Sequence, residues 1–182
     1  MKSIKIEVGM RSLVVVFGLS GTGKSFVARI LSEELGYRWL RSDVLRKELL
    51  GFAPEQDLSS EFGKGIYSED ITKKVYEELI RRAKQLLSEG HRVVIDATFL
   101  RKWQRELVLR NFENPLFIMT NASEGTVKRR LKSRVDVSDA DYNIYLKQKE
   151  VFEPPSEVDF FTLNTEKSKE ELLSTLKKLI KN

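Results

Sequence analysis

Three groups of residues in this chain have the types and spacing to do chemistry. The first is Gly18-Leu-Ser-Gly-Thr-Gly-Lys-Ser25, which fits G-x-x-x-x-G-K-[ST] at every position. Glycines in such a turn let backbone N–H groups point inward around phosphates, and the N-terminus of a following helix adds partial positive charge. Gly18, Ser20, Gly21, Thr22, Gly23, Lys24, Ser25 and Phe26 are therefore the expected nucleotide-binding set. Lys24 would contact the β- and γ-phosphates, and the Ser25 hydroxyl would hold Mg²⁺.

The second group is Arg41-Ser-Asp43-Val-Leu-Arg46. It follows a short apolar run, and in an open α/β sheet the carboxyl ends of strands face the ligand crevice. There Asp43 could accept the proton of an attacking hydroxyl, and Arg46, one helical turn on, could hold an anionic group of the acceptor. Spacing alone fits equally a helix N-cap at Asp43 with Arg46 as its solvated partner. The third group is Val93-Val-Ile-Asp96, a hydrophobic run ending in an acid, which places Asp96 near the metal or its waters. Thr98 follows closely and could touch substrate.

Two basic clusters accompany these groups. Arg130 and Arg134 stand four residues apart in Lys128-Arg-Arg-Leu-Lys-Ser-Arg134, on one helical face, where a closing lid would bring them over the phosphates. Arg101, Lys102 and Arg105, with Trp103 among them, could line a groove for single-stranded nucleic acid.

These residues need a scaffold to position them, and the chain encodes one. Leu13-Val-Val-Val-Phe17 and Arg92-Val-Val-Ile-Asp96 are apolar runs without alternation, as expected of strands buried on both faces. Further strands are expected at 37–40, 116–120 and 160–163. Helices are expected at 24–35, 44–50, from Ser68 to the stop at Gly90, and at 101–112. Others follow at 124–133, from a Ser138/Asp141 capping box to Glu150, and over 169–180 behind a Ser168/Glu171 capping box. The stretch 52–67 shows no period and reads as a mobile loop. Strands alternating with helices imply βαβ units around a parallel sheet, an α/β fold in one domain spanning 1–182.

Composition narrows the function. The 182 residues hold no Cys and one His, which excludes disulfide scaffolds, zinc fingers, iron–sulfur centres and thiol nucleophiles. A formal charge of +5 suits polyanionic ligands. No apolar stretch is long enough for a membrane span, so a cytoplasmic protein is expected. Thr120-Asn-Ala-Ser123 lacks the Asn-Lys-x-Asp guanine motif of GTPase switches, and the donor is left as ATP or GTP with Mg²⁺.

Together, Gly18–Ser25, Arg41–Arg46, the Val-Val-Ile-Asp96-Ala-Thr-Phe run and the Arg-rich segment to Arg134 resemble a family of small P-loop kinases, often labelled AAA-type ATP-binding proteins. That family is similar to the kinase domain of polynucleotide 5′-hydroxyl kinases, and also to the ATP-binding module fused to aminoglycoside-phosphotransferase-like proteins. The resemblance covers roughly 13–153. It implies a P-loop NTPase fold of nucleoside-monophosphate-kinase type, with a five-stranded parallel sheet and a mobile lid at about 130–147. It also implies roles: Lys24, Asp43, Arg130 and Arg134 catalytic, Asp43 as general base, Arg46 holding a phosphate beside the reactive hydroxyl, and Ser25 and Asp96 at the metal. Asn164-Thr165 would lie near the base. The leading acceptor is then the 5′-OH of DNA or RNA. A small-molecule kinase with a closed pocket under 52–67, and a nucleotide-binding regulatory module, are the alternatives.

Overall fold

The computed structural model describes residues 9–53, 65, 68–133 and 139–181. In chain order the elements are β1 (Leu13–Phe17), α1 (Lys24–Leu35), β2 (Arg38–Arg41), α2 (Ser42–Leu49), α3 (Glu69–Ser88) and β3 (Val93–Asp96). They continue with α4 (Lys102–Asn111), β4 (Leu116–Asn121), α5 (Glu124–Lys132), α6 (Asp139–Val151), β5 (Phe160–Asn164) and α7 (Lys169–Leu179). The five strands form one parallel sheet in the order β2-β3-β1-β4-β5.

The central position of β1 explains its composition. Leu13, Val15 and Phe17 pack with α3, α4 and Val158 on one face, while Val14 and Val16 pack with α1 and α7 on the other. Every residue of β1 is buried, so the strand has no polar side and no reason to alternate. A third, smaller cluster joins Val127 and Leu131 of α5 to Tyr145 of α6, with Leu19 of the glycine-rich turn against it.

Helix starts follow their caps. Ser68, Ser123 and Ser168 accept N–H bonds at the heads of α3, α5 and α7. The expected helix at 44–50 begins two residues earlier, at Ser42. Arg41 is its extended N-cap, and Asp43 sits inside the first turn, where a carboxylate suits the helix dipole. Asp43 is thus not the capping residue that spacing alone allowed. The expected loop at 52–67 lies mostly outside the described residues, as do Arg134 and the Ser138 half of the capping box. Among the described residues no helix is long and apolar enough to cross a membrane.

Candidate functional site

The sheet gathers the site at its carboxyl edge. The register aligns Val16 of β1 with Asp96 of β3, and Asp96 with Arg41 of β2, so the glycine-rich turn, Asp96 and the head of α2 adjoin one another.

The turn is shaped by glycine where no other residue fits. Gly23 has φ +97°, and a Cβ there would lie 2.7 Å from Thr165 Oγ1. At Gly18, φ is +140° and a Cβ would meet the Thr120 carbonyl at 2.8 Å. Gly23 is also the N-cap of α1, and unlike the serine caps it supplies no side-chain acceptor. The first turn of α1 holds no acidic residue either. Its N–H donors are thus left to a ligand, the arrangement that binds phosphate at a helix head. Thr22 fixes the turn internally, its hydroxyl 2.6 Å from the Leu19 carbonyl and 2.9 Å from Thr120 Oγ1. Lys24 Nζ donates to the Leu19 carbonyl at 3.0 Å. Phe26 is exposed in the first turn of α1.

Beside the turn, Ser25 Oγ donates to Asp96 Oδ2 at 3.0 Å. Trp39 Nε1 donates to the same oxygen at 3.1 Å, and Arg41, stacked over the Trp39 ring, donates to Ser25 Oγ at 3.3 Å. Asp96 is 5% exposed. Burial pushes its carboxyl above the usual range, opposed by the charge of Lys24, the Ser25 hydrogen bond and Arg41, while Asp43 adds to the rise. A hydroxyl and a carboxylate already in contact form an oxygen pair that fits Mg²⁺, a hard cation that also takes phosphate oxygens and waters. Arg41 entered the sequence reading only as the first residue of the Arg41–Arg46 group, with no role of its own, and Trp39 did not stand out; their place two residues apart at the end of an edge strand was the available signal.

Asp43 and Arg46 lie one turn apart on α2 but in different settings. Asp43 is exposed, whereas Arg46 is only 6% exposed and donates to Thr72 Oγ1 at 3.2 Å. Both are close enough to Tyr76 to act on its titration. Tyr76 is buried, which raises its pKa; its hydroxyl bonds the Thr98 side chain and accepts the Phe99 N–H at 3.0 Å. Phe99 holds φ +46°, rare for a non-glycine residue. Asp43, Arg46, Thr72, Tyr76 and Thr98 therefore cluster together, and Asp43 is also near enough to Asp96 to raise its pKa.

Arg130 reaches the other end of the turn. Its guanidinium donates to the Gly21 carbonyl at 3.3 Å and to Thr165 Oγ1 and O at 2.8 and 2.9 Å. Thr165 in turn donates to the Thr22 carbonyl at 2.6 Å, so the loop after β5 does lie against the glycine-rich turn. Glu166 binds Ser123 and Thr126 at the head of α5, and those hydrogen bonds hold its carboxyl down to about 2.

The expected basic groove at 101–105 is not formed. Arg105 is wholly buried: Nε donates to Glu157, one terminal nitrogen to the Phe99 carbonyl at 2.7 Å, the other to the Glu153 carbonyl at 2.8 Å. Arg101 pairs with Glu153 at 3.5 Å and Lys102 with Glu106 at 3.6 Å. Trp103 packs edge-on to Tyr76 in the main core. Neutralising acids and core packing leave no basic, aromatic face here. The sequence suggested one because Glu153 and Glu157 are about fifty residues away.

Comparison with known proteins agrees with this fold. A family model described as an AAA domain matches residues 13–155. An uncharacterized protein of Mycobacterium tuberculosis is 34% identical over 87 residues, which is 48% of this chain and 18% of that relative. The match therefore spans less than a fifth of the length of those relatives. A shikimate kinase of Persephonella marina is 26% identical over 145 residues, 79% of this chain and 84% of that one. Among solved structures, a sugar kinase from Janibacter superposes with TM-score 0.70 at 17% identity, covering 92% of this chain and 95% of the other. An APS kinase of Mycobacterium tuberculosis, in complex with AMPPNP and APS, superposes with TM-score 0.69 at 19% identity, covering 95% and 99%. The fold is that of P-loop kinases of the nucleoside-monophosphate-kinase type.

Proposed function

Because the chain belongs to the AAA domain family and carries the P-loop kinase fold, we propose that it moves the γ-phosphoryl group of ATP or GTP onto a hydroxyl of a small molecule bearing an anionic group. The observation that carries this reading is the pairing on α2 of an open carboxylate, Asp43, with a buried guanidinium, Arg46. An arginine largely taken out of water one turn from that carboxylate suits charge-assisted, bidentate recognition, which a carboxylate, phosphate or sulfate on the acceptor would supply.

In this reading the triphosphate lies on the turn 18–25 against the N–H groups that head α1. Lys24 leaves the Leu19 carbonyl for the β- and γ-phosphates. Ser25 and Asp96 would hold Mg²⁺, which neutralises phosphate charge when bound. Arg46 anchors the acceptor's anion, and Asp43 takes the proton of its hydroxyl. That oxygen forms the new bond to the γ-phosphorus as the bond to the β–γ bridging oxygen breaks. Arg130, on the Gly21 and Thr165 side, steadies the nucleotide.

The 5′-hydroxyl of DNA or RNA has less in its favour. The basic residues at 101–105 that would have lined its groove are paired or buried. The named relatives act, by their names, on shikimate, sugars and APS.

The test is transfer of labelled γ-phosphate from ATP or GTP to a panel of hydroxylated acids, sugar acids, nucleotides and a 5′-OH oligonucleotide, with Lys24→Ala as the blank. Label on a small anionic acceptor is the expected result. Label on the oligonucleotide alone would overturn the acceptor class, and stoichiometric binding without turnover would overturn the kinase reading. Asp43→Asn should lower transfer by roughly 10²–10⁴ while nucleotide affinity holds. Equal loss of both would remove Asp43 from the role of base.

A further inference from the structure

The Leu19–Ser20 peptide of the glycine-rich turn is gripped on both sides. Its carbonyl accepts from Lys24 Nζ at 3.0 Å and from Thr22 Oγ1 at 2.6 Å. Its N–H donates to Oε1 of Gln148 at 2.8 Å. Gln148 belongs to α6, 128 positions along the chain, and is only 8% exposed.

This contact rests on a fixed base. Tyr145, one turn before Gln148, is buried with Val127 and Leu131 of α5, and Leu19 itself packs on that cluster. Just beyond α6, the Glu153 N–H donates to the Leu100 carbonyl at 2.8 Å, and the Glu153 carbonyl accepts from Arg105. The glutamine is thus delivered to the turn by a helix tied down on either side of it.

Resting on the reading of this turn as a triphosphate site, we propose that Gln148 is a positioning residue that couples α6 to the terminal phosphate. A carboxamide carries one acceptor and a two-hydrogen donor on the same carbon. The acceptor is taken by Ser20, which places the amide nitrogen beside the peptide that Lys24 contacts. A lysine at this position of such a turn reaches the β- and γ-phosphates, so this peptide marks the terminal-phosphate end. A phosphate oxygen can only accept, and the amide nitrogen can only donate. A glutamate would hold Ser20 equally well but would set a negative charge against the phosphate. The neutral amide is the side chain of this length that meets both requirements.

The test measures affinity, not turnover. Wild type, Gln148→Ala and Gln148→Glu are titrated calorimetrically with ADP and with a non-hydrolysable ATP analogue, both with Mg²⁺. Gln148→Ala should weaken the analogue by roughly 10- to 150-fold, the effect of one lost hydrogen bond to a charged group, and ADP by much less. Gln148→Glu should weaken the analogue further still, again sparing ADP. Should either variant not fold, Gln148→Met keeps the length and buried contacts while removing donor and acceptor. Equal weakening of both nucleotides would mean that Gln148 only props the turn, and tighter analogue binding by Gln148→Ala would mean that it competes with the phosphate. Either result overturns the coupling while leaving the kinase reading intact. A wild type that binds neither nucleotide overturns both.

Discussion

Replacing Arg105 by alanine separates a structural role from a ligand-binding one. The guanidinium is fully buried and satisfies three separate partners, the Phe99 carbonyl, the Glu153 carbonyl and the Glu157 carboxylate. Burial alone would raise the Glu157 pKa, and the hydrogen bond from Arg105 brings it net below its ordinary value, so the carboxylate is ionised and depends on this partner. Removing the cation strands a charge whose side chain is 10% exposed, together with two carbonyls. Breaking one side of such a pair costs about 3–5 kcal/mol. For a domain of this size each kcal/mol moves the melting temperature by roughly 2–4 °C, so Arg105→Ala should melt roughly 6–20 °C lower. The assay is thermal and urea unfolding of wild type, Arg105→Ala, Glu157→Gln and the double variant. Because the carboxylate is the main stranded group, Glu157→Gln should return part of the loss in the Arg105→Ala background, a coupling read from the cycle. A melting temperature within a degree or two of wild type, combined with weakened binding of single-stranded DNA, would refute the reasoning and restore the nucleic-acid groove.

Three other expectations follow from the geometry. Gly23→Ala combines a positive φ with a Cβ 2.7 Å from Thr165 Oγ1, and should lose about 1–3 kcal/mol of stability by urea unfolding, with nucleotide affinity falling alongside. The Glu48 and Glu78 carboxylates bind Arg82, tying α2 to α3, and both are held below their ordinary pKa by that partner or by Arg81 beside it, Glu78 down to about 2. A depressed folded value means their contribution is complete above about pH 4.5 and is lost as pH falls toward 2. Stability followed by circular dichroism should decline across that window, and Arg82→Met should flatten the decline. Chelating Mg²⁺ should weaken triphosphate binding while leaving the melting temperature of the ligand-free protein unmoved, since Ser25 and Asp96 already satisfy each other. A chelator-induced drop in that temperature would mean a structural metal.

Much of the architecture was readable from local pattern. The unalternating Leu13–Phe17 run gave a doubly buried strand, and the serine-headed helices announced their own starts. The glycine-rich turn was readable because its chemistry is contained in eight consecutive residues. What pattern missed was distant pairing. Arg105 looked like a surface cation because its distant partners, the Glu153 carbonyl and the Glu157 carboxylate, lie 48 and 52 positions on. Gln148 carried no signal, since a glutamine on a helix is ordinary until a backbone N–H 128 positions away is brought to it. The start of α2 was misplaced by two residues because Arg41, a poor cap by type, takes that role at the end of a strand.

The place of β1 also bears on how the chain is made. Its partners are β3, whose Val93 pairs with Leu13, and β4, whose Leu116 pairs with Val14, so both neighbours emerge long after it does. At about 5–20 residues per second, the 80 residues separating Leu13 from Val93 take roughly 4–16 s to synthesise. For that interval a five-residue run of Leu, Val and Phe without one charge waits on the nascent chain, a segment of the kind that self-associates when exposed. The strand that holds the centre of the finished sheet is therefore the one most in need of a chaperone's cover during translation, and a refolding yield that falls steeply with protein concentration is the sign to expect in vitro.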